Sequence, residues 1–374
     1  MAHADAGRAA RTVSRLTHRE PDLDRLRTDL DRALRALVGW DAAAWATTDP
    51  ATLLFTSCVL CGRAEDTGLE SRLFALEFAR DDVNTFAELT RLPVPVGTLR
   101  AATGGQPERS RRYRELLRPL GVTDELRAAF VENGQCWGTL IAYRTGGAPF
   151  GPDEVAVLAA IGPAVAAGLR TAMLHAALQG PPGPGPVPGV VLIAADGAVR
   201  DISPQARHWL DEADVAGQVP SVLRSVAAAT RAAAGEHGPA VPAAAHARLP
   251  GRSGGWIRLH GTLLEASGEV AVVVEPATEV HLADVLVRAY GLTPREREVT
   301  ELVARGYSTA DIAGALFISA YTVQDHLKSI LAKTGVPNRR ELVAALHGRH
   351  YAPVTRTGGR PGPYGWYLAD PAEP

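Results

Sequence analysis

Gln324, Asp325 and Lys328 lie within about one turn of each other in a segment, Ser319 to Thr334, whose spacing predicts a helix. All three side chains have the chemistry to read a base edge. Gln pairs bidentately with adenine, Lys reaches the acceptors of guanine, and Asp accepts from cytosine. On a helical wheel Val323, Leu327, Ile330 and Thr334 share one face, while Tyr321, Gln324, Asp325, Lys328 and Ala332 share the opposite one. The first face is suited to packing and the second to a major groove. Lys333, Arg339 and Arg340, at or beyond the helix end, are better placed for phosphates than for bases. Of 39 basic residues in the chain only Lys328 and Lys333 are lysines. From Ser319 to His350 there are five Lys or Arg against two Asp or Glu, a local +3 within a chain of net charge −2. Contact with nucleic acid is therefore expected to be local.

The elements that must hold this face announce their own ends. Thr293-Pro-Arg-Glu296, Ser308-Thr-Ala-Asp311 and Asn338-Arg-Arg-Glu341 each set a capping side chain three residues before an acid. Pro294 suits a first helical position, where a missing N–H costs nothing. Gly306 and Gly335 stand where helices are expected to stop. Four helices are drawn between Thr293 and Leu346, with Val299, Leu302, Val303, Ile312, Ala313 and Leu316 supplying a small core.

Leu292-Thr-Pro-Arg-Glu-Arg-Glu-Val, Ile312-Ala, Ile318-Ser-Ala-Tyr-Thr-Val-Gln-Asp-His-Leu and Lys333-Thr-Gly-Val together resemble the C-terminal DNA-binding domain of LuxR-type bacterial transcriptional regulators. The resemblance implies a four-helix helix-turn-helix domain, double-stranded DNA as partner, and a last helix that often mediates dimerisation. It maps base-facing positions to Gln324, Asp325 and Lys328. It maps phosphate contacts to Ser308, Ser319, Thr322, Lys333 and Arg339, to which the position of Arg340 adds one. Many relatives carry Lys where this chain has Gln324, so their base preference does not transfer.

At 374 residues two or three domains are expected, and the fold class is multidomain α+β. The expected divisions are a flexible N-terminus over 1–21, a first domain over 22–178, a Pro/Gly linker over 179–189, a second domain over 190–280, the helical domain over 284–350 and an irregular tail over 351–374. Leu23, Leu26, Leu30, Leu34 and Leu37 form one stripe of an amphipathic helix. Gln135 to Arg144 reads as a strand and Pro152 to Leu178 as a long helix. The Trp137 to Arg144 strand, with Phe150-Gly-Pro-Asp-Glu-Val and the helix after it, resembles the end of a GAF domain. Val190 to Glu275, with a hairpin at Asp196-Gly197, helices near Gln205–Leu210 and Ser221–Ala234, and strands Trp256–Leu264 and Val270–Glu275, resembles a PAS-type domain. Both resemblances imply antiparallel sheets that wrap a small ligand in many proteins.

Other candidate chemistry is thin. Cys58-Val-Leu-Cys61 with the distant Cys136 fits structural thiols, with a redox switch or a metal as alternatives. Three cysteines are no disulfide framework and suit a reducing cytoplasm. His208, His237, His246 and His260 form no recognisable haem motif. Arg109-Ser-Arg-Arg-Tyr-Arg114 invites a nucleic-acid reading, but the following Glu115-Leu-Leu-Arg favours a solvated helix face. No catalytic residues, metal or cofactor are expected, and no receiver-type acidic pocket is visible. No apolar run of the ~20 residues a bilayer span requires is evident, nor is an N-terminal signal, so a cytoplasmic chain without membrane contact is expected. The expected function is sequence-specific DNA binding, as a homodimer, under control of a small ligand or partner. The alternatives are a cysteine-based sulfoxide-reducing enzyme, or a module that contacts RNA polymerase without its own operator.

Overall fold

The computed structural model describes residues 2–19, 22–62, 69–178, 187–213, 221–237, 245–251, 256–277, 290–334, 336–346, 360–361 and 367–368. They fall into two compact units, Met1–Pro276 and Ala277–Pro374.

The first unit opens with α1 (Ala2–Arg19) and α2 (Leu23–Val38). Asp22 caps α2, accepting from the Arg25 N–H at 2.8 Å, and the predicted leucine stripe is buried at Leu26, Leu30 and Leu34. Of the segment 1–21 expected to be flexible, Ala2–Arg19 is helical instead. Its apolar stripe is Ala9 and Val13, too small to stand out in sequence but fully buried. The strands β1 (Ala42–Thr48), β2 (Phe55–Gly62), β3 (Val96–Thr98), β4 (Asp124–Glu132) and β5 (Gln135–Arg144) form an antiparallel sheet of order β2-β1-β5-β4-β3. The helix α3 (Leu69–Ala79) lies between β2 and β3 in the chain. The long α4 (Pro152–Leu178) follows β5, with Leu158, Ile161, Val165 and Leu169 buried. At Gly168 a Cβ would fall 2.3 Å from Thr17 Cγ2, so the missing side chain lets α1 settle on α4. The stretch Pro152–Leu174 is long and apolar enough to cross a membrane, contrary to expectation; its alanines raise the mean hydropathy to 1.6 without forming a leucine-rich run. Half of that stretch is buried within the fold, as a core helix is.

The second sheet of this unit contains β6 (Gly189–Ile193), β7 (Val199–Ile202), β8 (His246–Pro250), β9 (Trp256–Leu263) and β10 (Val270–Pro276). Its order, β7-β6-β10-β9-β8, repeats that of the first sheet when each is counted from its own first strand. The predicted hairpin turns at Gly197, whose φ of 84° suits glycine. Between β7 and β8 run α5 (Pro204–Glu212), capped by Ser203, and α6 (Ser221–His237). The strand β8 went unrecognised in the sequence.

The two sheets are tied together. Asp49, after β1, accepts from Arg248 Nε at 2.8 Å, from Nη2 at 2.9 Å and from the Arg248 N–H at 3.0 Å, and both side chains are buried. The Phe55 N–H donates to Ser225 Oγ on α6 at 2.9 Å. Arg109, Arg111 and Arg114 lie exposed, as a solvated face would have them, but Arg112 departs from it. Arg112 is buried, donating to Glu125 at 2.7 Å, while Arg111 pairs with Asp81 and Glu115. Glu115 is a near neighbour of Arg111, but Asp81 and Glu125 are distant in sequence, so the run alone could not reveal them.

The second unit holds the four predicted helices: α7 (Pro294–Ala304), α8 (Thr309–Leu316), α9 (Ala320–Thr334) and α10 (Arg339–Leu346). Their core is Leu292, Val299, Val303, Ile312, Val323, Ile330 and Leu342, with Leu302, Ala313 and Leu316 packed around it. Gly335 lies outside the described residues. In the tail, Arg360–Pro361 pairs with Tyr367–Leu368 as a two-residue ladder where no regular structure was expected.

Candidate nucleic-acid interface

Local chemistry fixes the starts of the helices that frame the site. Thr293 Oγ1 accepts from the Glu296 N–H at 3.2 Å, and Glu296 returns the bond by accepting from the Thr293 N–H at 2.7 Å. Ser308 and Asp311 form the same box on α8. Asn338 Oδ1 accepts from the Glu341 N–H at 2.9 Å. Ser319 adds a fourth cap, accepting from the Thr322 N–H at 3.0 Å. The turn from α8 into α9 passes through Phe317 in a left-handed conformation, φ 55°. That backbone is uncommon for a bulky residue.

On α9 the wheel is realised as drawn. Val323 and Ile330 are buried, whereas Tyr321, Gln324, Asp325, Lys328 and Ala332 are exposed. Among the described residues Gln324, Asp325 and Lys328 make no hydrogen bond or ion pair, so their polar atoms are available to a partner. Arg340 is exposed and likewise uncommitted.

Other candidate residues are occupied. Lys333 Nζ donates to Glu296 Oε2 at 2.7 Å and retains only 35% side-chain exposure. Ser329 Oγ donates to the other oxygen of Glu296 at 2.5 Å. Burial alone would raise the Glu296 pKa, but the donors Lys333, Ser329 and Thr293 hold it down at about 2. Arg339 donates to the Tyr307 carbonyl and, at 3.4 Å, to Thr309 Oγ1, fastening α10 to the start of α8. Ser308 commits both its N–H and its hydroxyl to Asp311. Ser319 and Thr322 share a hydroxyl contact of 2.8 Å at the N-terminus of α9, where the helix dipole favours anions. Sequence reasoning placed Tyr321, 76% exposed, on the open face but missed the exposed aromatic Phe317 at 95%, for which an aromatic directly after a helix end was the available signal.

Cys61 and Cys136 offer little reactivity. Cys58 and Cys61 pair with Ala46 and Ala43 across the ladder. Three positions apart on a strand, they point to opposite faces and sit ~10 Å apart, beyond disulfide reach. Burial, aided by Asp31, pushes the Cys61 thiol up to about 11, and burial does the same to Cys136. Among the described residues no three His, Cys, Asp or Glu side chains converge as a metal site.

Four capped helices around one core, with the third turned outward from a tight turn, define a helix-turn-helix domain. Residues 291–346 match the model of the family described as bacterial regulatory proteins, luxR family. The chain belongs to that family. The spore germination protein GerE of Bacillus subtilis is 46% identical over 55 residues, 15% of this chain and 74% of that protein. A Mycobacterium tuberculosis protein named for an HTH-type transcriptional regulator is 53% identical over 57 residues, and the regulator MalT of Serratia proteamaculans is 41% identical over 58. The chain spans only 6% of the length of each of these last two. A bacteriophytochrome structure from R. palustris is superimposable over 73% of this chain and 62% of its own, at 12% identity and a TM-score of 0.32, a likeness too slight to bear on the fold.

Proposed function

We propose that the chain is a transcriptional regulator that binds double-stranded DNA sequence-specifically by laying α9 in the major groove. The observation that carries this is the uncommitted polar face of Gln324, Asp325 and Lys328 on a helix whose other face is buried. Gln324 and Lys328 read bases and Asp325 selects against or for cytosine. Ser319, Thr322 and Arg340 hold phosphates directly. Ser308, Lys333 and Arg339 do so after loosening their internal bonds to Asp311, Glu296 and Tyr307. Two copies of the chain bind a two-fold operator with half-sites about 34 Å apart.

The N-terminal unit serves as the sensor. Its two sheets of matching strand order support reading 22–178 and 190–280 as a GAF-like and a PAS-like lobe, which respond to a small molecule or protein partner in the cytoplasm. The raised thiols of Cys61 and Cys136 count against the sulfoxide-reductase alternative. Genome-wide mapping of bound DNA for wild type and for Gln324→Ala and Lys328→Ala tests the reading. A set of two-fold sites lost or altered in the variants supports it; binding patterns unchanged in both variants overturn it.

A further inference from the structure

Trp45 points from β1 toward α2, where its indole N–H donates to Asp31 at 3.1 Å, so Ala44 and Ala46 point to the other face of the first sheet. There they floor a cavity of about 110 Å³ between the sheet, α3 and the start of α6. Phe55, Leu73, Phe74 and Ile141 wall it, with the Phe55 and Phe74 rings stacked at 4.8 Å. A dry cavity of about 150 Å³ lined by Leu, Ile and Phe accepts benzene; this one, about three quarters of that volume and open at its rim, has room for no more than a single small ring whose substituent reaches the mouth. Several waters would also fit by size, but apolar walls offer them few partners.

The polar groups at the rim restrict the chemistry further. Thr139, Tyr143 and Ser221 each present a hydroxyl. Burial, with Glu125 nearby, pushes the Tyr143 phenol up, so it stays a donor. Glu70 is the one carboxylate among the described lining residues, and it is already neutralised: Arg224 and Ser221 both donate to it at 2.5 Å. A ligand bearing charge would find no counter-charge there.

We infer that this cavity binds an uncharged monocyclic aromatic molecule carrying a hydroxyl, and that α6 carries its occupancy into the second sheet. This rests on the reading that the N-terminal unit senses a small molecule. The second part follows from α6 itself. Ser221 and Arg224 sit at the rim, Ser225 accepts from Phe55 on the cavity wall, and Val222, Leu223 and Val226 are buried in the core of the second sheet.

Calorimetric titration of the full chain with phenol, benzyl alcohol, benzoate and benzylamine tests the site. The two neutral probes are expected to bind with a Kd of about 1 mM or tighter, and the charged pair at least about tenfold more weakly. Ala46→Leu fills the floor and should weaken phenol at least about tenfold. If that variant fails to fold, Thr139→Val, which keeps the volume and removes a hydroxyl, should weaken phenol severalfold. Hydrogen exchange with phenol bound should show added protection of α6 amides. No binding of either neutral probe, equal binding of the charged probes, or unaltered affinity in the folded variants overturns the site; an unprotected α6 overturns the coupling. DNA affinity is measured in parallel. Phenol binding that leaves DNA affinity untouched sinks the sensor reading and spares the site, whereas absent phenol binding beside intact DNA recognition sinks the site alone.

Discussion

Two lysines five positions apart on one helix would be interchangeable on charge alone, yet Lys328 and Lys333 occupy different physical situations. Lys328 extends uncommitted from the exposed face, while Lys333 is drawn back onto Glu296. Lys328→Ala should alter which sequences bind, costing about 1–3 kcal/mol at a preferred base and little elsewhere. Lys333→Ala should weaken all sequences alike, reduce the salt slope by about 1, and lower thermal stability because Glu296 loses a partner. Binding to an oligonucleotide library at several salt concentrations separates the two, and identical behaviour would refute the docking. Glu296 makes its own pH prediction. Its pKa in the folded chain, about 2, lies below the ordinary glutamate value of 4.5, so the stabilisation is present above about pH 4.5 and fades as pH falls toward 2. Glu296→Gln should cost on the order of 2–3 kcal/mol at pH 7, and denaturant unfolding should show that difference vanishing toward pH 2.

Among the elements, helices held by neighbours in sequence were the legible ones. Each of the predicted caps forms with a partner three residues away, and Val299, Ile312 and Val323 are buried as the periodicity requires. Thr293→Ala should therefore cost about 1 kcal/mol in unfolding free energy, since it strips a single capping oxygen. What depended on distant partners was hidden. The partner of Lys333 is 37 positions away, that of Arg112 is 13 and that of Asp49 is 199. A stripe of Ala9 and Val13 gave α1 no leucine signature, and its meaning came from Gly168 on α4. Gly168→Leu should push α1 away while leaving the sheet intact, seen as faster hydrogen exchange confined to α1; unchanged exchange there would mean α1 is held otherwise. The exposed polar face of α9, Tyr321 included, was readable because a helical wheel is a local property, whereas Phe317 was passed over because exposure of an aromatic outside the wheel depends on what fails to cover it.

At the scale of the molecule, two sheets that sequence alone would separate are joined through a buried ion pair. Removing one partner leaves a buried charge without compensation, so Asp49→Ala should destabilise the N-terminal unit by about 3–5 kcal/mol, read as a lowered midpoint in denaturant. Replacement of both Asp49 and Arg248 by apolar residues should recover much of that loss, because no charge is then stranded. The second unit should unfold at its own midpoint in the Asp49→Ala chain, because its core is built from separate residues. The pairing of the lysines has a practical corollary as well. Amine-acylating reagents will find only two lysine side chains in this chain, one open and one engaged. Acylation at Lys328 should outpace that at Lys333, and its suppression by bound oligonucleotide would turn peptide mass mapping into a footprint of a single helix face.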